Sequence, residues 1–272
     1  MNIKKTSLLL GLLSLGTLSA QAQAPAATAP APAAPEAAAP SSSWVFTPSF
    51  ASQYMFRGAR LGGPSFQPAI EFDSGSLAVG VWANFPLKDK VVGQSDPEFD
   101  IYGSYSFELI KDTATLVPGF TIYTYPNADK NAGFYKDTFE PSIALNYTVA
   151  GWKLTPKLYY DLVLKGPTYE FTAAYVIPLK DANTELDFTA TFGTFKWTEA
   201  FENTSPAAKN WGNYYLVGVA APFQVSANSK LTVGLAYTKG SDNFVKIGTD
   251  AKFENSAAVG RGVITVSYAI TF

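Results

Sequence analysis

Glu98 and Asp100 stand two residues apart, as do Glu185 and Asp187. In an extended chain that spacing puts both carboxylates of a pair on one face. There they could hold a cation or act as a hydrolytic acid–base pair. The same spacing arises wherever a strand turns a charged face to water, and the rest of the chain's chemistry favours that reading. The sequence has no histidine, which removes the commonest general base and metal ligand and the serine–histidine arrangements of lipid hydrolases. It has no cysteine, hence no disulfide framework, thiolate metal site or lipidated N-terminus. Arg57-Gly-Ala-Arg-Leu-Gly-Gly63 is glycine-rich, but it lacks the Gly-Lys-Ser/Thr ending of a phosphate-binding loop and leads into a strand, so it reads as a tight turn. Asn203-Thr-Ser205 matches the glycosylation sequon by spelling alone. No catalytic residue, metal or cofactor is expected, and the chain reads as a non-enzyme.

The elements that must position these charges begin after an export signal. Asn2-Ile-Lys-Lys5 is a short basic region, Ser7-Leu-Leu-Leu-Gly-Leu-Leu-Ser-Leu15 an apolar stretch too short to span a bilayer, and Ala20-Gln-Ala22 a small-x-small cleavage site. Residues 1–22 are therefore expected to be a signal peptide. Residues 23–43, almost entirely Ala, Pro and Ser, cannot bury a core and are expected to form a disordered periplasmic linker. With Lys4 and Lys5 removed, the 22 acidic residues outnumber the remaining basic ones by four, a balance that gives no support to nucleic-acid binding.

From Trp44 to Phe272 the chain alternates at period two. Twelve segments emerge, over 44–57, 65–73, 77–85, 98–107, 113–125, 138–147, 152–161, 168–177, 184–195, 213–223, 230–238 and 261–272. The last sets Gly262, Ile264, Val266, Tyr268, Ile270 and Phe272 on one face and Val263, Thr265, Ser267, Ala269 and Thr271 on the other. The first sets Trp44, Phe46, Phe50, Tyr54 and Phe56 outward and ends with Arg57 on the polar face. Segments of about ten residues suit tilted transmembrane strands, and after the signal no apolar run is long enough for a transmembrane helix. Aromatics make up 15% of the chain, which suits two interfacial girdles. Short turns alternate with longer links, the asymmetry of periplasmic turns and outer loops. The expected fold is all-β, a twelve-stranded antiparallel transmembrane β-barrel of the outer-membrane type over residues 44–272.

Ser52-Gln-Tyr-Met-Phe-Arg-Gly58, then Pro64, Gly80-Val-Trp-Ala83 and Glu98-Phe-Asp-Ile-Tyr102 resemble the opening of the Gcw_chp family, also called TorF-type porins. Members tend to begin with a strand ending in an Asp-Tyr-x-Phe-Arg-Gly-like motif, and Gln53 stands here where the acid usually is. Tyr125-Pro126, the Glu140 strand and the Phe-terminated last strand extend the likeness. The resemblance implies a cell outer-membrane location and a porin-like role, and it carries no catalytic residues or settled substrate.

The expected function is passive diffusion of small polar solutes or ions through the lumen. Its rival is a closed structural or adhesion barrel whose outer loops bind a partner. Twelve strands fall between barrels filled by side chains and wide channels, so openness is undecided by count. Expected partners are outer-membrane lipid and lipopolysaccharide, the barrel assembly machinery through a C-terminal signal of Tyr268, Ile270 and Phe272, and the solutes, with no nucleic acid. Expected pore-lining residues are Arg57 and Arg261 on neighbouring first and last strands, facing Asp100, Glu140, Asp161 and Glu170 across the mouth, with Lys157 deeper. That arc either sets up a transverse field or neutralises itself in salt bridges that seal the mouth. Inward Trp82, Tyr102, Tyr159 and Tyr214 either stack a sugar or base or fill the lumen.

Overall fold

An alternating strand has two unlike faces and an unpaired edge, and a sheet of such strands removes its edges only by closing on itself. The computed structural model of the chain describes residues 42–89, 97–128, 136–196, 211–241 and 260–272. It shows such a closed sheet, built of twelve antiparallel staves. The first stave comprises β1 (Ser42–Thr47) and β2 (Ser49–Ala51). Next in chain order come two short strands off the wall, β3 (Tyr54–Phe56) and β4 (Ala59–Gly62). The second stave is β5 (Ser65–Phe66) with β6 (Ala69–Ser74), and the third is β7 (Leu77–Pro86). The fourth is β8 (Glu98–Tyr105) with β9 (Phe107–Ile110). The remaining staves are single strands: β10 (Ala114–Thr124), β11 (Asp137–Val149), β12 (Trp152–Asp161), β13 (Gly166–Leu179), β14 (Thr184–Phe195), β15 (Gly212–Ser226), β16 (Ser229–Gly240) and β17 (Arg261–Thr271). A 3-10 turn at Lys180–Ala182 links β13 to β14.

The ring closes between its first and last staves. Val45 and Phe46 of β1 pair with Thr271 and Ile270 of β17, and Phe50 of β2 pairs with Val266. The Trp44 amide donates to the Phe272 carbonyl at 3.2 Å, and the Phe272 amide donates back to the Trp44 carbonyl at 2.8 Å. The expected signal peptide and nearly all of the expected linker lie outside the described residues. Ser42 and Ser43 already pair with Ser74 and Asp73, so β1 starts two residues before the expected boundary.

Faces follow the alternation. Outward residues such as Ile70, Ile101, Phe171, Val217 and Leu235 are exposed, while their neighbours along the strand turn inward. On a barrel that outward band is the surface that lipid covers. Aromatic pairs mark its two rims. At the short-turn end lie Trp44 with Phe72 (centroids 5.0 Å apart), Trp152 with Tyr175 (4.9 Å) and Tyr105 with Phe107 (4.7 Å). At the long-loop end lie Phe85 with Phe99 (5.7 Å), Tyr169 with Trp211 (5.9 Å) and Tyr215 with Tyr237 (6.1 Å). Amphipathic rings favour such interfaces.

One expectation fails. The first segment does not run straight to Arg57. Pro48, which has no amide proton to give a ladder, separates β1 from β2. At Ser52 the chain is last tied to β17, with the Ser52 amide donating to the Ile264 carbonyl (2.9 Å) and the Ile264 amide to the Ser52 hydroxyl (2.8 Å). Beyond it, β3 and β4 pair only with each other. Tyr54, Met55 and Arg57 are buried, and Phe56 packs on inward aromatic clusters. Tyr54 and Phe56, expected to face lipid, lie inside the barrel. The outer link of residues 52–64 is a hairpin folded into the lumen.

Candidate functional site

The hairpin turns at Arg57 (φ 46°) and Gly58 (φ 76°), the left-handed pair required by a two-residue turn matched to strand twist. Glycine accepts that conformation freely. For arginine it costs about 1–2 kcal/mol, so something must hold it. The Arg57 guanidinium donates through Nη2 to Glu140 Oε2 at 2.8 Å, both side chains being almost fully buried. It also lies 4.7 Å from the Phe56 ring centroid and 5.1 Å from that of Tyr159, distances at which a cation is attracted to a ring face. Gly58 must be glycine for a second reason: a Cβ there would sit 2.4 Å from the Gly240 amide nitrogen. The turn thus abuts the backbone of β16 on one side while its arginine reaches β11 on the other.

The hairpin's stem is held as closely. The Tyr54 hydroxyl donates to Glu98 Oε2, and its ring packs on Trp82 with centroids 5.9 Å apart. Tyr54, Trp82 and Tyr102 form one buried cluster with Phe56 and Leu61 against it. Leu164, Phe195 and Tyr214 form a second, also covered by Phe56. Met55 packs on Val263 of β17. Phe56 meets the Tyr123 ring at 5.9 Å, edge to face. The hairpin therefore touches the wall around most of its circumference and narrows the lumen at that level.

Two of the inward aromatics, Tyr214 and Tyr102, lie close against the wall because the cross-strand partner of each is a glycine. A Cβ on Gly193 would fall 2.0 Å from Cζ of Tyr214, its cross-strand partner, and one on Gly80 2.4 Å from Cζ of Tyr102. Of the two roles open to these rings, the structure shows them packing the lumen. Trp82, Tyr102, Tyr159 and Tyr214 are all buried.

The expected pore-lining residues divide. Glu140 faces inward from β11 and accepts from Tyr123 Oη (2.9 Å) as well as from Arg57. Arg57 is on the hairpin, not at the end of the first stave, so for this pair direct contact replaces separation across the mouth. Arg261 stays on the last stave, half-buried, its Nη1 3.4 Å from the Gly260 carbonyl. Asp161 caps the turn after β12, accepting from Thr138 Oγ1 (2.6 Å) and from the amides of Val163 (2.8 Å) and Leu164 (2.7 Å). Glu170 accepts from Tyr159 (3.2 Å) and Tyr214 (2.6 Å). Lys157 stands opposite Glu170 in the β12–β13 register, its Nζ 4.4 Å from the Tyr159 centroid. Asp100 is completely buried, and neither carboxylate oxygen has a hydrogen-bond partner among the described residues.

Tyr54, Phe56, Tyr123 and Tyr125 belong to this site, although the sequence pattern did not mark them out. Tyr125 Oη donates to Glu98 Oε1 at 2.8 Å. A usable signal lay in the spacing: a short apolar run, Arg-Gly, then Ala59–Gly62 is the signature of a tight hairpin. At the far end of the chain, Tyr268 Oη hydrogen-bonds Ser229 Oγ (2.9 Å), Ile270 pairs with both Ser229 and Phe46, and Phe272 leaves its ring exposed.

The fold is similar to that of solved barrels. The NanC porin superposes with a TM-score of 0.50 at 9% identity, covering 84% of this chain and 98% of that one. The KdgM porin gives 0.51 at 10% identity, covering 85% and 99%. No curated protein sequence matches the chain. Residues 37–163 match the profile of a family described as a bacterial protein of unknown function, Gcw_chp. The chain is a closed twelve-stranded barrel of the outer-membrane type, and the half that carries the inward hairpin bears the sequence signature of the Gcw_chp family.

Proposed function

We propose that the protein is an outer-membrane porin through which small polar solutes or ions diffuse passively. One observation carries this reading: below the hairpin the inward face is lined with small polar side chains that remain partly exposed to the lumen. Ser104, Ser142, Asn146, Thr155, Thr172 and Thr191 form this row, with Thr155 donating to Asn146 Oδ1 (2.9 Å) and Thr172 bonded to Thr191 (2.9 Å). Hydroxyls and amides on the inside with apolar side chains outside suit a water-filled passage through lipid. The hairpin is then the constriction that decides what passes. We assign no reaction, because the lumen offers carboxylates and tyrosines with no histidine to act as base. Residues 1–22 serve export and 23–43 tether the barrel. The outward band meets membrane lipid and lipopolysaccharide, and Tyr268, Ile270 and Phe272 present the closing strand to the assembly machinery.

The test is current through the purified, heat-modifiable barrel in a planar bilayer. Discrete single-channel steps are expected. Replacing residues 53–63 by a two-residue Asn-Gly turn should at least double their size while the barrel stays folded. If neither form passes current, the pore reading is wrong, and the closed barrel with partner-binding outer loops takes its place.

A further inference from the structure

Away from the hairpin, at the mouth formed by the short turns, two inward charges of opposite sign stand on nearly opposite walls. Lys153 lies one position in from the Val149–Trp152 pair that closes the β11–β12 turn, and Asp73 one position in from the Ser74–Leu77 pair that closes the β6–β7 turn. Both are half-buried and reach the lumen. Their strands belong to the seventh and second staves, five apart in a ring of twelve. On the strands beside it, Lys153 is flanked by Thr148 and Ala174, and Asp73 by Ser43 and Ala78, so each presents its charge among uncharged neighbours. Glu71, one inward step above Asp73 on β6, adds an acid to that wall, while Lys157, two steps above Lys153, faces Glu170. The other charges of this mouth, Glu185 and Asp187 on β14 and Lys230 on β16, act on one another.

An ammonium and a carboxylate facing one another across a passage with low-dielectric walls set up a field transverse to it. Such a field gives little advantage to a simple ion, which is drawn to one wall and repelled by the other. It favours a solute that carries both signs and can turn its dipole into line. A carboxylate directed at Lys153 would also meet hydroxyl donors from Thr148 beside it and Thr155 one inward step above. We propose that the short-turn mouth selects small zwitterions of the amino-acid class, Lys153 orienting the solute's carboxylate and Asp73 its ammonium. This rests on the pore reading above and names its substrate class: the hairpin limits size, and the charged mouth sorts what fits.

The experiment compares swelling of liposomes carrying the purified barrel in serine, a zwitterion, and in its uncharged isomer glyceramide, with protein-free liposomes as the blank. Wild type should admit serine roughly threefold faster or more, the advantage a focusing field gives. Lys153→Gln and Asp73→Asn should each bring the two rates close together while the glyceramide rate holds. The exchange Lys153→Asp with Asp73→Lys restores a field of the opposite direction and the original net charge, and should restore the preference for serine. Heat-modifiability reports the fold of each form. A wild type without preference for serine, single variants that keep the parental ratio, or a folded exchange variant that does not recover it overturns the assignment while leaving the pore intact. An absence of swelling above the blank in both solutes and every form overturns the pore reading and this inference with it.

Discussion

The wall from β13 to β16 and the first two staves are written in the same alternating pattern, yet they are built differently. Strands β13 to β16 run 12 to 15 residues each without a break. The first two staves are pieces of two to six residues interrupted at Pro48, Pro68 and the inward hairpin. The regular part holds the circumference, and the broken part reaches into the lumen. Alternation therefore dictates which way a side chain points while its strand stays in the wall, but it does not say where a strand leaves it.

The largest effect expected from testing this contrast is at the seam where the two parts meet. Deleting Phe272, or replacing it with Asp, removes an aromatic from the closing strand and, in the deletion, both main-chain bonds to Trp44. Heat-modifiable barrel in outer-membrane fractions should fall at least tenfold, with the chain degraded in the periplasm. Normal amounts of folded barrel would show that the regular wall closes without this contact.

Next in size is release of the hairpin alone. Glu140→Gln leaves Arg57 buried without its counter-ion, a change worth about 3–5 kcal/mol where it breaks a buried pair. The loss should fall on the hairpin and not on the wall. Protease should then cut within residues 52–64 in intact cells, and channel openings should lengthen, while the heat-modifiable band persists. A barrel that unfolds instead would mean that the two regions form one cooperative unit.

The smallest effect lies in the regular wall itself. Gly193→Ala puts a methyl where the Tyr214 ring now rests, and overpacking of this kind costs about 1–3 kcal/mol. The unfolding temperature in detergent should drop by a few degrees, and Tyr214 should lose its hold on Glu170. An unchanged transition would show that the ring can swing into the lumen without strain.

The fold was legible because lipid imposes a strict rule: outward positions such as Ile143, Phe188 and Val233 must be apolar, and the links between strands must turn at fixed intervals. The same rule misleads at Tyr54 and Phe56. An apolar side chain is satisfied by lipid or by an apolar nest of Trp82, Tyr102, Phe195 and Tyr214, and the alternation is blind to that choice. Glu140, Asp161 and Glu170 could be placed on the inward face, since strand parity alone decides it. Their partners could not, because Arg57 reaches Glu140 from 83 residues away only after the hairpin has turned inward. Asp100 was visible as an inward acid. That it stands alone among the described residues emerges only when every neighbour has been accounted for.

The tip of the hairpin rests against the backbone of Gly240, on the penultimate stave, although its root is in the first. The earliest part of the barrel to be translated thus has no place to settle until almost the last part has arrived. While the sheet is still an open, curling ribbon, Tyr54, Met55 and Phe56 have no complete pocket, and long-range pairings of this sort are slow to form. The hairpin can then take its final place only late, once the ring is nearly complete. The segment that narrows the barrel is thus set in place by the strands that complete it.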